Sequence, residues 1–545
     1  MLRRSLLVTF ACWGIFVSAL AASATPAFAQ GKIDELALDR WKLLREAERH
    51  QLNVAEKYYR EQQYKIALGE YEKFVTLYEK SEGASFAQFK WAICQIHLKK
   101  INTAISDGFQ TVIDYWPDSV EAPNAAFYIG RCYKETGDIK KAKKAYQQVI
   151  SKYADSLAAV YSLYDLVDVS TVEEDVGARV AVWRKLVFEI KRTPGDAANL
   201  CNQASIQLAQ HYFKADNPTD GVASLATTWK DNQLPYYVWA YCRTPIGELA
   251  AEPKTKDKAD KTADGCVAAI REKVPTDLSK EEDKKNAREW SYYIADIQAY
   301  SRREDKVIET YQAILKQFGQ EDATLQRFGD WYKSVQKYEE ARKLYNQFTV
   351  RPEGLGQVAY SYRQQQKWDE AVTYYKQAAG LDANNLPKWN GEIGQTYREA
   401  HRWKESVDAF QENLKIDSAN TEKWLWLIAH THKEGGQYKE AIGVFRQCTN
   451  FPENTKEMAL CHRYLKEWNE AVILYSQVTS HAPSAPWALY QIAATREAAG
   501  EKEKAIQAFQ LVCKKFPKDG HAAQAHAHLQ TFYKINVTLG GAAEE

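Results

Sequence analysis

The chain has 545 residues, with 72 Lys plus Arg against 71 Asp plus Glu, 45% apolar residues and 26% charged ones. A formal net charge of +1 gives no global attraction to nucleic acid or to an anionic membrane surface, and 26 Gly with 15 Pro argue against long disordered tracts. One compact core rarely fills such a length, so the chain is expected to be divided or built by repetition.

In chain order, residues 1–29 carry Arg3 and Arg4, an apolar run from Leu6 to Leu20, and Ala27-Phe28-Ala29 before Gln30. This is the pattern of a cleaved export signal, and it predicts an extracytoplasmic, periplasmic protein. Cys12 follows Thr9-Phe10-Ala11, which is not a lipobox, so no lipid anchor is expected. Residues 33–61 read as one long helix from their apolar residues at three and four. Three repeats follow, with Ala67, Ala104 and Ala142 as small markers and a nearly ideal third unit of Ile129-Gly130, Tyr133, Gly137-Asp138, Ala142 and Tyr146.

Between 156 and 285 the register blurs, leaving one degenerate unit of Leu208-Ala209, Tyr212, Gly221 and Leu225. The runs at 252–261 and 276–285 alternate in charge and read as solvated loops or exposed helix ends. Cys242 and Cys266 bracket the first of these, and in an exported chain they are expected to form a disulfide. The other cysteines of the mature chain stand at helix-interior positions and read as buried small hydrophobes.

Beyond 286 the register is regular. Small residues open second helices at Val307, Ala341, Ala371, Ser406, Ala441, Ala471 and Ala505, in steps of 34, 30, 35, 35, 30 and 34, each with an aromatic four residues on. The 30-residue steps are expected to come from shortened connections. The best unit, residues 386–420, has Ile393-Gly394, Tyr397, Ser406 and Phe410 at the large-small-large spacing by which two antiparallel helices close on each other. The chain thus resembles the tetratricopeptide (TPR) family. The resemblance implies an all-α, right-handed TPR superhelix, an α-solenoid of about ten to twelve hairpins. Tyr115-Trp116-Pro117-Asp118-Ser119 and Lys152-Tyr153-Ala154-Asp155-Ser156, around the third unit, resemble the TPR units of bacterial envelope proteins. These are the Tol-Pal-associated periplasmic protein and the TPR lipoprotein of the outer-membrane β-barrel assembly machine. The expected domains are a signal at 1–29, an N-terminal solenoid at 30–155, a degenerate middle and linker at 156–285, a C-terminal array at 286–520, and a capping helix and tail at 521–545.

Catalytic patterns are missing: there is no phosphate loop, zincin, nucleophile elbow or Cys-x-x-Cys. Cys461 and His462 are adjacent, so on a helix they point about 100° apart. His521 and His528 are about 10 Å apart along a helix, too far to share an ion. No catalytic residue, metal or cofactor is expected. The expected function is a scaffold for partner proteins, with a glycan-acting envelope enzyme, or a structural subunit of an outer-membrane assembly or secretion complex, left open as alternatives.

In the TPR family the first helix of each repeat lines the binding groove, and the resemblance carries that role onto named residues. Four residues after each small contact residue of the first helices stand Lys333, Arg363, Arg398, Lys433 and Arg463, with Glu497 ending the series. Their expected companions are Tyr360, Trp426, His430 and Tyr490, and the expected ligand is an acidic, extended segment of another protein. The family's carboxylate clamp is not reproduced, because Gly356, Gly391 and Trp426 occupy one of its lysine positions.

Overall fold

The structure is a computed structural model that describes residues 32–540, so the expected export signal lies outside the described residues. Regular structure among the described residues is entirely helical. The chain forms two compact units, one up to Ile308 and one from Glu309. In the first, consecutive pairs are Glu46–Arg60 with Tyr64–Leu77, Ala84–His97 with a helical run over 101–115, and Glu121–Glu135 with Ile139–Lys152. Leu157–Val172 pairs with Val176–Phe188, Asp196–Lys214 with Pro218–Ala226, and Leu234–Ala251 with Lys256–Lys273. In the second, the first helices are Asp322–Ser334, Arg351–Gln364, Leu386–Glu399, Thr421–Glu434, Glu453–Tyr464 and Ala485–Ala498. A second helix follows each of them, and Gly520–His528 packs on the last.

The turn inside most hairpins is a left-handed C-terminal cap. Gln62, Gln366, His401 and Lys466 take φ near 60°, and Gly137, Gly436 and Gly500 take φ near 80° at the same place. The next amide then reaches back five residues, as from Asp138 to Tyr133 O at 2.9 Å and from Arg402 to Tyr397 O at 2.8 Å. This bond satisfies a carbonyl that the helix end would otherwise leave unpaired. Most caps are built on residues other than glycine, at about 1 kcal/mol of backbone strain each. They are therefore hard to see as sequence punctuation.

Inside a hairpin the helices touch where one of them has no side chain. A Cβ on Gly130 would stand 2.5 Å from the Tyr146 ring, and one on Gly394 would stand 2.6 Å from Phe410. Both rings are essentially fully buried. The Ser406 hydroxyl donates to Gly394 O at 2.8 Å, so the small marker of the second helix is also a hydrogen-bonded contact. In the degenerate unit the parts are exchanged. Gly221 lies on the second helix and meets Phe213 of the first, which is why a template expecting glycine first reads this unit poorly.

Three expectations are adjusted. Residues 33–61 are not one helix: a short 3-10 turn, Lys32–Asp34, is followed by Leu38–Leu43 and then Glu46–Arg60. The break buries Leu44, and Arg45 N donates to Glu48 at 2.6 Å to start a fresh helix. The 30-residue steps come from the second helices themselves, because Tyr338–Tyr345 and Tyr438–Phe445 have eight residues where Trp368–Leu381 and Trp403–Ile416 have 14. Lastly, the run at 252–261 is a 3-10 turn, Pro253–Thr255, and the exposed start of Lys256–Lys273, so Cys242 and Cys266 lie on facing helices. Both are fully buried free thiols. Burial, together with a hydrogen bond between the two, pushes the Cys266 thiol well above its ordinary value.

Candidate functional site

The first helices of the second unit present one side chain per repeat at a common register, and the five cations lie on that face. Each is already engaged. Arg363 reaches Glu392 at 2.7 Å and Glu399 at 3.2 Å, both on the next first helix. Arg398 holds Glu434 through Nε at 2.7 Å and a second, shorter contact, and Lys433 holds Glu457 at 2.6 Å. Arg463 donates to Gln491 Oε1 at 2.8 Å, and Lys333 pairs with Asp330 of its own helix at 2.7 Å. Glu497 closes the series, accepting from His528 Nε2 at 2.8 Å and from the Tyr533 hydroxyl.

The side chains of Lys333, Arg363, Arg398 and Lys433 are only 12–20% exposed. Burial works against the Arg363 charge, yet Tyr375, Glu399 and Glu392 hold its pKa above the ordinary value. The hydrogen bond from Arg398 holds the Glu434 carboxyl below the usual range. Arg363, Arg398, Lys433 and Arg463 are thus rungs between repeats, and at the first three an incoming carboxylate must exchange with a resident one. Half-buried pairs of this kind gain about 1 kcal/mol each, more than fully solvated ones.

The aromatic companions flank these rungs. The Tyr360 ring lies 5.1 Å from Lys333 Nζ and 5.2 Å from the Arg363 guanidinium. Trp426 packs at 4.7 Å from His430, and both rest edge-on against Phe445. Burial, with Lys433 beside it, pushes His430 below its ordinary pKa, so the ring is neutral at pH 7. His430 Nε2 is buried without a hydrogen-bond partner. Tyr490 packs edge-on against Phe509. Further along this face a cavity of about 440 Å³ is lined by Glu457, Tyr475, Trp487 and Gln491.

The glycines that replace the clamp lysine have a packing reason. A Cβ on Gly356 would stand 2.6 Å from Trp389 of the next repeat, and one on Gly391 would stand 3.2 Å from Trp424. Both indoles are locked in the same way, Trp389 Nε1 to Asp382 at 3.0 Å and Trp424 Nε1 to Asp417 at 2.9 Å. Sequence reasoning missed this device, although its signal, Asp-x-x-Asn-x-x-x-Trp, stands at 382–389 and again at 417–424. Tyr64, Trp403 and Tyr438, at the start of second helices, are repeat-core residues that pack on the neighbouring hairpin at His97, Gly435 and Tyr464.

Tetratricopeptide-repeat family profiles match residues 124–156, 355–387 and 487–519. The chain therefore carries tetratricopeptide repeats in both units, and repeats of this kind form protein-binding scaffolds. No curated protein matches the chain. Among solved structures it is similar to the APC/C hetero-tetramer Cut9–Hcn1, at 14% identity over 89% of this chain and 97% of that one, with a TM-score of 0.27. It is similar to Naa15/Naa10 bound to HypK-THB at 13% identity over 90% and 71%, with a TM-score of 0.39. Yeast Tom70 is matched at 12% identity over 82% and 97%, with a TM-score of 0.29. No helix among the described residues is long and apolar enough to cross a membrane. Nor does any group of three His, Cys, Asp or Glu there stand ready to hold a metal ion.

Proposed function

We propose that the protein is a non-catalytic scaffold that works outside the cytoplasm, in the cell envelope, and binds partner proteins along the first-helix face of its second unit. The observation that carries this reading is the common register of that face, where Tyr360, Trp426, His430 and Tyr490 flank the cation series. The partner contributes an extended segment with carboxylates. These exchange with Glu392, Glu434 and Glu457 for the cations, while apolar side chains lie against Trp426 and Tyr360. Exchange of one pair for another costs little net Coulomb energy, so affinity comes from the apolar contacts and specificity from charge spacing.

The test is photo-crosslinking in the native envelope with a crosslinking residue placed at Tyr360, at Tyr490 or, as a control, at the exposed Ile473 of the second helix Trp468–Val478. Partner polypeptides should be captured from the first two positions and not from the third. Equal capture from all three would overturn the reading.

A further inference from the structure

The face of the first unit carries a ligand already, and that ligand is part of the chain. Residues 33–36, Ile-Asp-Glu-Leu, belong to no hairpin, and lie across first helices 91 and 94 residues further on. Asn124 Nδ2 donates to Ile33 O at 3.0 Å. The Tyr128 hydroxyl stands 2.8 Å from each Asp34 carboxylate oxygen. Lys90 and Arg131 direct their charges at the same carboxylate. Ile33 and Leu36 pack against the apolar cluster of the first hairpins, while Glu35 faces solvent.

What the segment covers is unusual for a helical core. Lys90 is 3% exposed, with its ammonium 3.5 Å from the centre of the Tyr59 ring and 3.5 Å from Glu56. Asn124 is 6% exposed and Tyr128 is fully buried. An ammonium, an amide and a hydroxyl converging in an aromatic-lined groove are what a carboxylate between aliphatic neighbours requires. A helix-to-helix contact alone would be served by apolar residues.

We infer that the groove formed by Glu46–Arg60, Ala84–His97 and Glu121–Glu135 is a peptide-binding site, held shut by the chain's own residues 33–36 and opened to a partner segment of the same kind, an aspartate flanked by aliphatic residues. The inference rests on the scaffold reading but concerns a different face, and it stands or falls without the cation series. The hold is suited to exchange. Burial pushes the Asp34 carboxyl up to about 6 despite the Tyr128 hydrogen bond and the two cations, so the docked aspartate is under-compensated and releasable. A short tether gives the resident an effective concentration on the order of millimolar, against which a partner in trans must compete.

The experiment uses the full chain and a fluorescent synthetic peptide of residues 31–40. Fluorescence anisotropy should show at least about tenfold tighter binding to the double variant Asp34→Ala/Leu36→Ala, whose own segment is disabled, than to the wild type. Adding Asn124→Ala and Tyr128→Phe to the double variant should abolish binding, and a peptide carrying Asp34→Lys should bind neither chain. No binding to a double variant that melts cooperatively would overturn the inference, leaving the segment a fixed structural cap. Should the double variant fail to fold, a fluorophore at Leu38→Cys in the otherwise wild-type chain reads the same event, since Leu38 is exposed and every native cysteine among the described residues is buried. Excess unlabelled peptide should then free the label, and an unchanged signal at millimolar peptide would overturn the inference.

Discussion

The two units build the same face from opposite electrostatic solutions. In the first, Lys90 and Arg131 of the early first helices pair with Glu56 and Asp165 and also act on one buried carboxylate, Asp34, that comes from outside the repeats. In the second, Arg363, Arg398 and Lys433 turn towards carboxylates of the repeats themselves. A charged groove can thus be neutralised by a removable segment or by its neighbours. The first arrangement leaves a site behind when the segment departs, and the second leaves a staple. Cations on first helices therefore carry different functions, and their partners decide which.

The largest effects should come from breaking the seats that both units share. Tyr146→Ala in the first unit and Phe410→Ala in the second each remove a buried ring from its glycine seat and should cost about 3–5 kcal/mol. Because a solenoid couples only nearest neighbours, hydrogen exchange should show each loss confined to its own unit. An equal loss of protection in both would mean that the chain folds as one body. Expressed alone, residues 30–155 and 286–545 should each give a helical, cooperatively melting protein, and the second fragment keeps the Glu304–Phe318 helix whole.

Next comes the staple. Arg363, Arg398 and Arg463 are bonded to Glu392, Glu434 and Gln491 of the following repeats, so their joint replacement by Gln removes contacts that hold successive repeats together. The triple variant should lose about 3 kcal/mol, read from the urea midpoint of the second unit, and high salt should narrow the gap to wild type. An unchanged midpoint would return these residues to the role of free ligands.

Of similar size is the effect of joining Cys242 to Cys266, whose thiols already touch. In protein purified from an oxidising compartment, non-reducing peptide mapping should find them linked, and reduction should lower stability by about 3 kcal/mol for a loop of about 25 residues. Finding both free in such material would remove the disulfide.

The smallest effect is on pH and belongs to the first unit alone. Asp34 is raised to about 6 when docked, from 3.8 when free. The docked state therefore binds the extra proton, and docking is strongest at low pH and weakens as pH rises through 6. The groups bearing on it are Tyr128, Lys90, Arg131 and Glu35, of which the cations oppose the shift and Glu35 adds to it. Between pH 5.5 and 7.5 the segment should loosen by about fourfold, visible as increased mobility of the Leu38→Cys label. Insensitivity to pH in this window would mean that the cations compensate Asp34 fully.

Much of this was legible beforehand because repetition amplifies weak local signals. One Gly394 with one Phe410 is chance; seven small residues each followed by an aromatic four positions on define helix faces and their period. The caps were less legible, since Gln62, His401 and Lys466 adopt a backbone that glycine would have announced. The sequence by itself determined the helical class, the pairing of neighbouring helices and the register of the cation series, because these depend on spacings within about 35 residues. Only the tertiary structure decided what each charge faces, that residues 33–36 lie across a distant first helix and do not continue into one long helix, and that Cys242 meets Cys266. The physical reason is separation: Asp34 finds Tyr128 across 94 residues, and no periodicity along the chain records a contact made once.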